Sequence, residues 1–175
     1  MRTLVDADRI RHLMQALGRA ARRPARIYFT GGATAVLHGW RLSTIDVDLK
    51  LVPDDDALMR AIPELKERLS MNIELAAPDD FIPVRDGWDA RSPFVTQKGP
   101  LTFHHFDLVA QALAKIERGH RQDVEDVQTM LARGLVTPTT VRAAFDEIAP
   151  RLYRYPAVDP RAFRRAVEDL TGGPW

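Results

Sequence analysis

The sequence predicts an α+β fold: a mixed sheet flanked by helices, followed by a helical C-terminal part. Three observations predict it. Residues Ile45 to Leu51 alternate apolar and polar, the period of a strand with one buried face. Ile10, Leu13, Met14 and Leu17 recur at the spacing of one helix face. From Asp107 onward the chain reads as helical, with Gly119, Gly134, Pro138, Pro150 and Pro160 dividing the run. The expected organisation is a core over 1–106 and a helical region over 107–175 packed on it.

The elements follow in order. A first helix starts at Asp6 or Asp8 and runs to about Arg22, ended by Pro24. Arg26 to Thr30 reads as a short strand running into Gly31-Gly32, and Ala33 to His38 as a short helix that Gly39 stops. Trp40 to Thr44 connects to the alternating strand. There Ile45, Val47, Leu49 and Leu51 face one way, and Asp46, Asp48 and Lys50 the other. Asp54-Asp55-Asp56 opens a helix to about Leu69, where acidic residues cap the N-terminus and offset its dipole. Met71 to Ala76 predicts a third strand, Ile73 and Leu75 inward, Asn72 and Glu74 outward. Residues 78–88 read as irregular. Lys98-Gly99-Pro100 joins two strands in a hairpin. Helices are expected at about 108–118, 121–132, 138–149 and 160–170.

Composition narrows the function. Lys plus Arg is 25 and Asp plus Glu is 24, for a net charge of +1, so a globally basic nucleic-acid coat is excluded. Basic residues nevertheless gather at the termini and acidic ones in the middle. The absence of cysteine excludes disulfides, thiolate metal sites and thiol catalysis. No apolar run reaches membrane-spanning length and the N-terminus lacks a signal peptide's apolar stretch, so a cytoplasmic protein without a membrane partner is expected.

The chemistry concentrates in two places. Gly31-Gly32 follows a strand, where paired glycines let a phosphate approach the backbone and the N–H groups of the following helix point at an anion. Asp46 and Asp48 share a strand face about 7 Å apart, a spacing at which two carboxylates can hold a divalent cation. Either feature alone is commonly a turn or a solvated face. Together, in this order, they point to a phosphate and metal site. Neither a G-x-G-x-x-G nor a G-x-x-x-x-G-K-[ST] pattern is present.

Phe29-Thr30-Gly31-Gly32-Ala33-Thr34-Ala35-Val36-Leu37-His38-Gly39 and Arg41-Leu42-Ser43-Thr44-Ile45-Asp46-Val47-Asp48-Leu49 resemble the opening motifs of the nucleotidyltransferase superfamily. The Arg-x-x-Thr-x-Asp-x-Asp run is most similar to bacterial families related to the AbiEii abortive-infection toxins. The likeness covers roughly residues 26–132. Downstream, Asp107 to Lys115 resembles a helix of those families that ends in Lys, and Arg118 to Asp126 their Arg-Asp-x-x-Asp stretch, although Gln122 separates Arg121 from Asp123.

This resemblance implies a nucleotidyltransferase-like sheet and Mg²⁺-dependent transfer from an NTP, with a two-ion site open. Asp46 and Asp48 would hold metal, with Glu74 in place of the superfamily's third acid. Gly31, Gly32, Arg41, Thr44 and Lys115 would bind the nucleotide, and Lys115 and Asp126 would assist catalysis, with Asp123 as neighbour. The acceptor is open among a protein hydroxyl, a tRNA end or other RNA, and a small molecule. A cognate antitoxin protein is the partner such toxins imply. The alternative is a catalytically inactive module of the same fold that acts with a protein partner.

Other polar residues read as structural. His104 and His105 are adjacent on a strand and face opposite sides, His38 is a helix-end residue, and Asp79 and Asp80 are turn residues.

Overall fold

The computed structural model describes residues 3–174 and divides the chain into two compact units. The first comprises Met1–Ala77 and Ser92–Phe106, the second Pro78–Arg91 and Asp107–Trp175. Residues 78–91 thus belong with the C-terminal helices. Among the described residues no helix is long and apolar enough to cross a membrane.

In the first unit α1 (Ala7–Ala20) starts where the Asp6 carboxylate accepts the N–H of Arg9, and it buries Ile10, Leu13, Met14 and Leu17. It ends two residues before the expected Arg22, because Ala21 is already extended. β1 (Ala25–Thr30), β2 (Asp46–Val52), β3 (Asn72–Leu75), β4 (Phe94–Lys98) and β5 (Leu101–His105) form one sheet in the order β3-β2-β1-β5-β4. The β1–β2 and β4–β5 pairs are antiparallel, and the β1–β5 and β2–β3 pairs are parallel. Two further helices, α2 (Gly31–Leu37) and α3 (Asp56–Arg68), join α1 in the core.

Alternation along the strands sorts the two faces. Ile27, Phe29, Val47, Leu49, Ile73 and Phe103 enter the core with Leu13, Leu17, Val36, Leu58 and Leu65. Their neighbours in sequence, Tyr28, Thr30, Asp46, Asp48, Lys50, Asn72 and Glu74, therefore project from the opposite face. Two inward expectations fail. Ile45 precedes β2 and is 44% exposed, and Leu75 is 47% exposed because it is the last residue of an edge strand.

The second unit holds α4 (Leu108–Arg118), α5 (Arg121–Ala132), α6 (Pro138–Ile148) and α7 (Pro160–Leu170). Each has a local reason to begin or end. Asp107 caps α4, and Gly119 closes it at φ 69°. Thr137 and Thr140 cap one another's backbone at α6, and Asp159 accepts the N–H groups of Arg161 and Ala162 at α7. Buried Leu113, Ile116, Val127, Met130, Val141 and Val167 supply the apolar interior, with Phe145 and Phe163 edge to face at 5.0 Å. Side chains tie residues 78–91 to the segment between α6 and α7: the Tyr155 hydroxyl donates to the Asp79 carbonyl at 2.8 Å and Arg151 to the Val84 carbonyl at 3.0 Å.

Candidate functional site

The candidate site lies at the end of β1, where Gly31 takes φ +60°. That backbone region suits glycine, because a Cβ crowds the following carbonyl there. A β-carbon built on Gly31 would also stand 3.0 Å from Oδ2 of Asp48, so the carboxylate faces the bare turn. Register explains the approach: Thr30 and Asp48 are direct partners across β1 and β2. Gly32 is tighter. A β-carbon there would stand 2.7 Å from Cβ of Thr44, closer still to its hydroxyl, and 3.4 Å from Nη1 of Arg41. The turn thus gathers Gly31, Gly32, Arg41, Thr44 and Asp48 within the first unit. One expectation is corrected: α2 begins at Gly31 instead of Ala33 and has seven residues.

Thr44 is anchored on both sides. Its N–H and carbonyl pair with the backbone of Val5 at 2.9 and 2.8 Å, and its hydroxyl donates to the Asp46 carbonyl at 3.0 Å. The connector from Trp40 therefore enters β2 at a fixed height, and Asp46 and Asp48 follow on one face.

β3 brings further polar groups to that face. Asp46 pairs with Asn72 and Asp48 with Glu74 along the parallel register. The Asn72 amide nitrogen donates to Oδ1 of Asp46 at 2.6 Å and to Oε1 of Glu74 at 2.9 Å. The predicted set Asp46, Asp48 and Glu74 is thus on one sheet face, where an asparagine whose part the sequence did not reveal bridges Asp46 and Glu74. Alternation placed Asn72 and Glu74 on one side of their strand; only the pairing with β2 shows what they touch. Among the described residues no three His, Asp or Glu side chains form a ready-made metal cluster. The donor set still fits Mg²⁺, which takes one or two carboxylates and completes its shell with phosphate oxygens and water.

Lys115 and Asp126 meet in the second unit. The ammonium donates to Oδ2 of Asp126 at 2.7 Å and lies 3.9 Å from Oδ1 of Asp123. All three residues are at least 95% buried: Lys115 is 5% exposed, and Asp123 and Asp126 are 1% exposed. Asp123 is also gripped by Arg118 through Nε at 2.8 Å and Nη2 at 2.6 Å, and by the His120 N–H at 3.2 Å. Burial pushes the Asp123 carboxyl up, but Arg118, Lys115 and the His120 N–H outweigh it and hold its pKa below the ordinary value. The partner of Asp123 is thus Arg118, while Arg121 pairs with Glu125 at 3.0 Å.

His38, His104 and His105 make contacts within the first unit. Nδ1 of His105 lies 2.9 Å from the Thr34 hydroxyl, and its ring centre is 4.5 Å from that of His38. Burial, then the charges of His38 and His104, push the His105 pKa down to about 3. His104 points to the other face and stacks on Tyr28 at 5.2 Å. His38 is the C-cap of α2. Asp55 caps α3 by accepting the Leu58 N–H at 2.9 Å. Two cavities of about 530 and 440 Å³ flank α1 in the first unit; they share Gln15 and are lined by neither Gly31 nor the two aspartates. No protein-family model, curated protein or solved structure matches the chain.

Proposed function

We propose that the chain is a Mg²⁺-dependent nucleotidyltransferase whose nucleotide sits at the Gly31-Gly32 turn. The observation that carries the reading is the approach of the Asp48 carboxylate to Gly31, with Asp46 beside it and Arg41 and Thr44 against Gly32. A bound Mg²⁺ would neutralise phosphate charge and polarise the phosphoryl group under attack. Asp46 and Asp48 would supply its two protein carboxylates. Arg41 would bring a fixed positive charge to the same turn, where Gly31 sets no side chain of its own between its main chain and a phosphate. Glu74, beside Asp48 in register, would accept a proton from an acceptor hydroxyl. Catalysis would then rest on positioning and charge stabilisation. Lys115 and Asp126 enter this proposal on the family resemblance alone, as a nucleotide contact and its buried partner.

The test has two arms. Calorimetry with each of the four Mg·NTPs should find binding to the wild-type chain and none to the Asp46→Ala/Asp48→Ala variant, with circular dichroism unchanged. Equal affinity in the two proteins would overturn the site. Labelled NTP, Mg²⁺ and total cellular RNA or protein should then yield a labelled acceptor. Binding without any transfer would favour the inactive module, and a co-purifying antitoxin would identify its partner.

A further inference from the structure

We infer that a cavity of the first unit is a second binding site, for a small, flat aromatic molecule that donates one hydrogen bond and carries one negative charge. The cavity measures about 440 Å³ and is lined from α1, the end of α2, β4 and the end of β5. Neither Gly31 nor the two aspartates line it, so this site stands apart from the nucleotide reading. A volume of this order is that of a small-molecule pocket, and such pockets combine apolar walls with a few fixed polar groups. Met14, Leu37, Phe94 and Val95 supply the walls here. Phe94 is 62% exposed, so its ring has surface left to offer a flat partner.

The first polar group is His105, which is 6% exposed. Its Nδ1 lies 2.9 Å from the Thr34 hydroxyl. That hydroxyl has one proton and gives it to the Phe29 carbonyl at 3.3 Å, so Nδ1 is the donor to Thr34. Nε2 of the ring then carries a lone pair, and among the described residues nothing donates to it. Burial and the charges of His38 and His104 keep the ring neutral, so the lone pair stays available. A buried acceptor without a donor is unfavourable, and an N–H or O–H of a ligand would satisfy it. The second polar group is Lys98. It pairs with Leu101, four residues before His105 on β5, which sets its backbone about 13 Å from that of His105. Among the described residues its ammonium has no hydrogen bond or ion pair, whereas Arg11, which also lines the cavity, is held by Asp8 at 2.7 Å. An acceptor at one end, a cation toward the other and apolar walls between them define the ligand: a donor and a carboxylate at opposite ends of a flat apolar body.

Calorimetry on the whole chain tests this with para-hydroxycinnamate, which has a phenol at one end and a carboxylate at the other. Its partner compound is para-methoxycinnamate, of similar shape but without the donor. Wild type should bind the hydroxy compound at one site per chain, and the methoxy compound at least roughly tenfold more weakly, because it leaves Nε2 of His105 unpaired. Lys98→Met keeps the stem and deletes the charge; it should weaken both compounds by roughly tenfold. His105→Phe should erase the difference between them. In ¹⁵N spectra of wild type, the hydroxy compound should shift Nε2 of His105 and leave Nδ1 in place. Asp46→Ala/Asp48→Ala should bind both compounds as wild type does, so the failure of the nucleotide reading would leave this site untouched. No binding at millimolar concentration, equal affinity for the two compounds, or a Lys98→Met protein that binds like wild type overturns the inference. Should His105→Phe fail to fold, the two compounds and the Nε2 resonance of wild type decide alone.

Discussion

A single buried imidazole gives the first unit a pH dependence with a definite sign. His105 stays neutral in the fold because burial and two neighbouring histidines disfavour its charged form, which lowers its pKa to about 3. Its ordinary pKa is near 6.5, so between these values the unfolded chain binds the extra proton and the folded chain does not. The contribution of neutral His105 to stability is present in full above pH 6.5 and is lost as the pH falls toward 3. One such group changes stability by at most about 1.4 kcal/mol per pH unit in that window. Urea unfolding at pH 5 and pH 7 should show the wild type losing stability at the lower pH. His105→Gln, which removes this titration, should lose distinctly less between the same two values. An identical loss in both proteins would show that His105 is hydrated in the fold. Sequence reasoning placed His104 and His105 on opposite faces, because alternation alone requires it. It did not reveal that His105 meets Thr34 and His38, since that contact depends on α2 lying beside β5.

At the scale of elements, the site is a strand-turn-helix set against the entry to β2, and the two glycines are required for different reasons. Gly31 has a positive φ, while Gly32 is confined by Thr44 and Arg41. Gly39 provides a control: its φ is +82°, yet a β-carbon there would meet nothing within 4 Å. Gly39→Ala should therefore cost only backbone strain, about 1–2 kcal/mol, and leave Mg·NTP binding intact. Gly32→Ala should cost about 1–3 kcal/mol from overpacking and also displace Thr44, so that the affinity for Mg·NTP falls as well. Chemical denaturation and calorimetry on the two variants check both statements. If Gly32→Ala binds nucleotide like wild type, the Thr44 connector has no part in the site. Much of this region was legible in the sequence. The glycine pair, Arg41, Thr44 and the two aspartates are local in the chain, and a period of two orients the aspartates. Asn72 was not legible as a bridge, because 26 residues separate it from Asp46 and the register of β3 on β2 brings them together. Leu75 was misread for a related reason: alternation predicts a side, but not where an edge strand runs out of cover.

For the molecule as a whole, the division into two units separates the residues that the family resemblance groups together. Asp46 and Asp48 belong to the first unit and Lys115 and Asp126 to the second. The helices of the second unit were legible almost to the residue because glycine, proline and capping side chains mark their ends. The assignment of residues 78–91 was not, because it rests on side-chain to backbone contacts such as Tyr155 to Asp79 and Arg151 to Val84. The ionic cluster was legible only in part. Sequence reasoning named Lys115, Asp123 and Asp126, but not that the ammonium of Lys115 is buried against Asp126. Removing its charge therefore has a consequence apart from any ligand. Lys115→Met would leave Asp126 buried opposite a thioether, and breaking a buried pair from one side costs about 3–5 kcal/mol. Asp123 would suffer less, because Arg118 grips it with two hydrogen bonds. Replacing both partners, Lys115→Met with Asp126→Leu, removes the uncompensated charge and should recover most of that loss. Urea unfolding of the two variants checks the prediction, and a Lys115→Met protein as stable as wild type would sink it. The double variant also makes the nucleotide question answerable, since it is expected to fold. If it binds Mg·NTP as tightly as wild type, Lys115 and Asp126 hold the helices together and do no more. If it folds and binds at least tenfold more weakly, the loss expected for a charge-assisted contact, the pair serves the nucleotide as well as the fold.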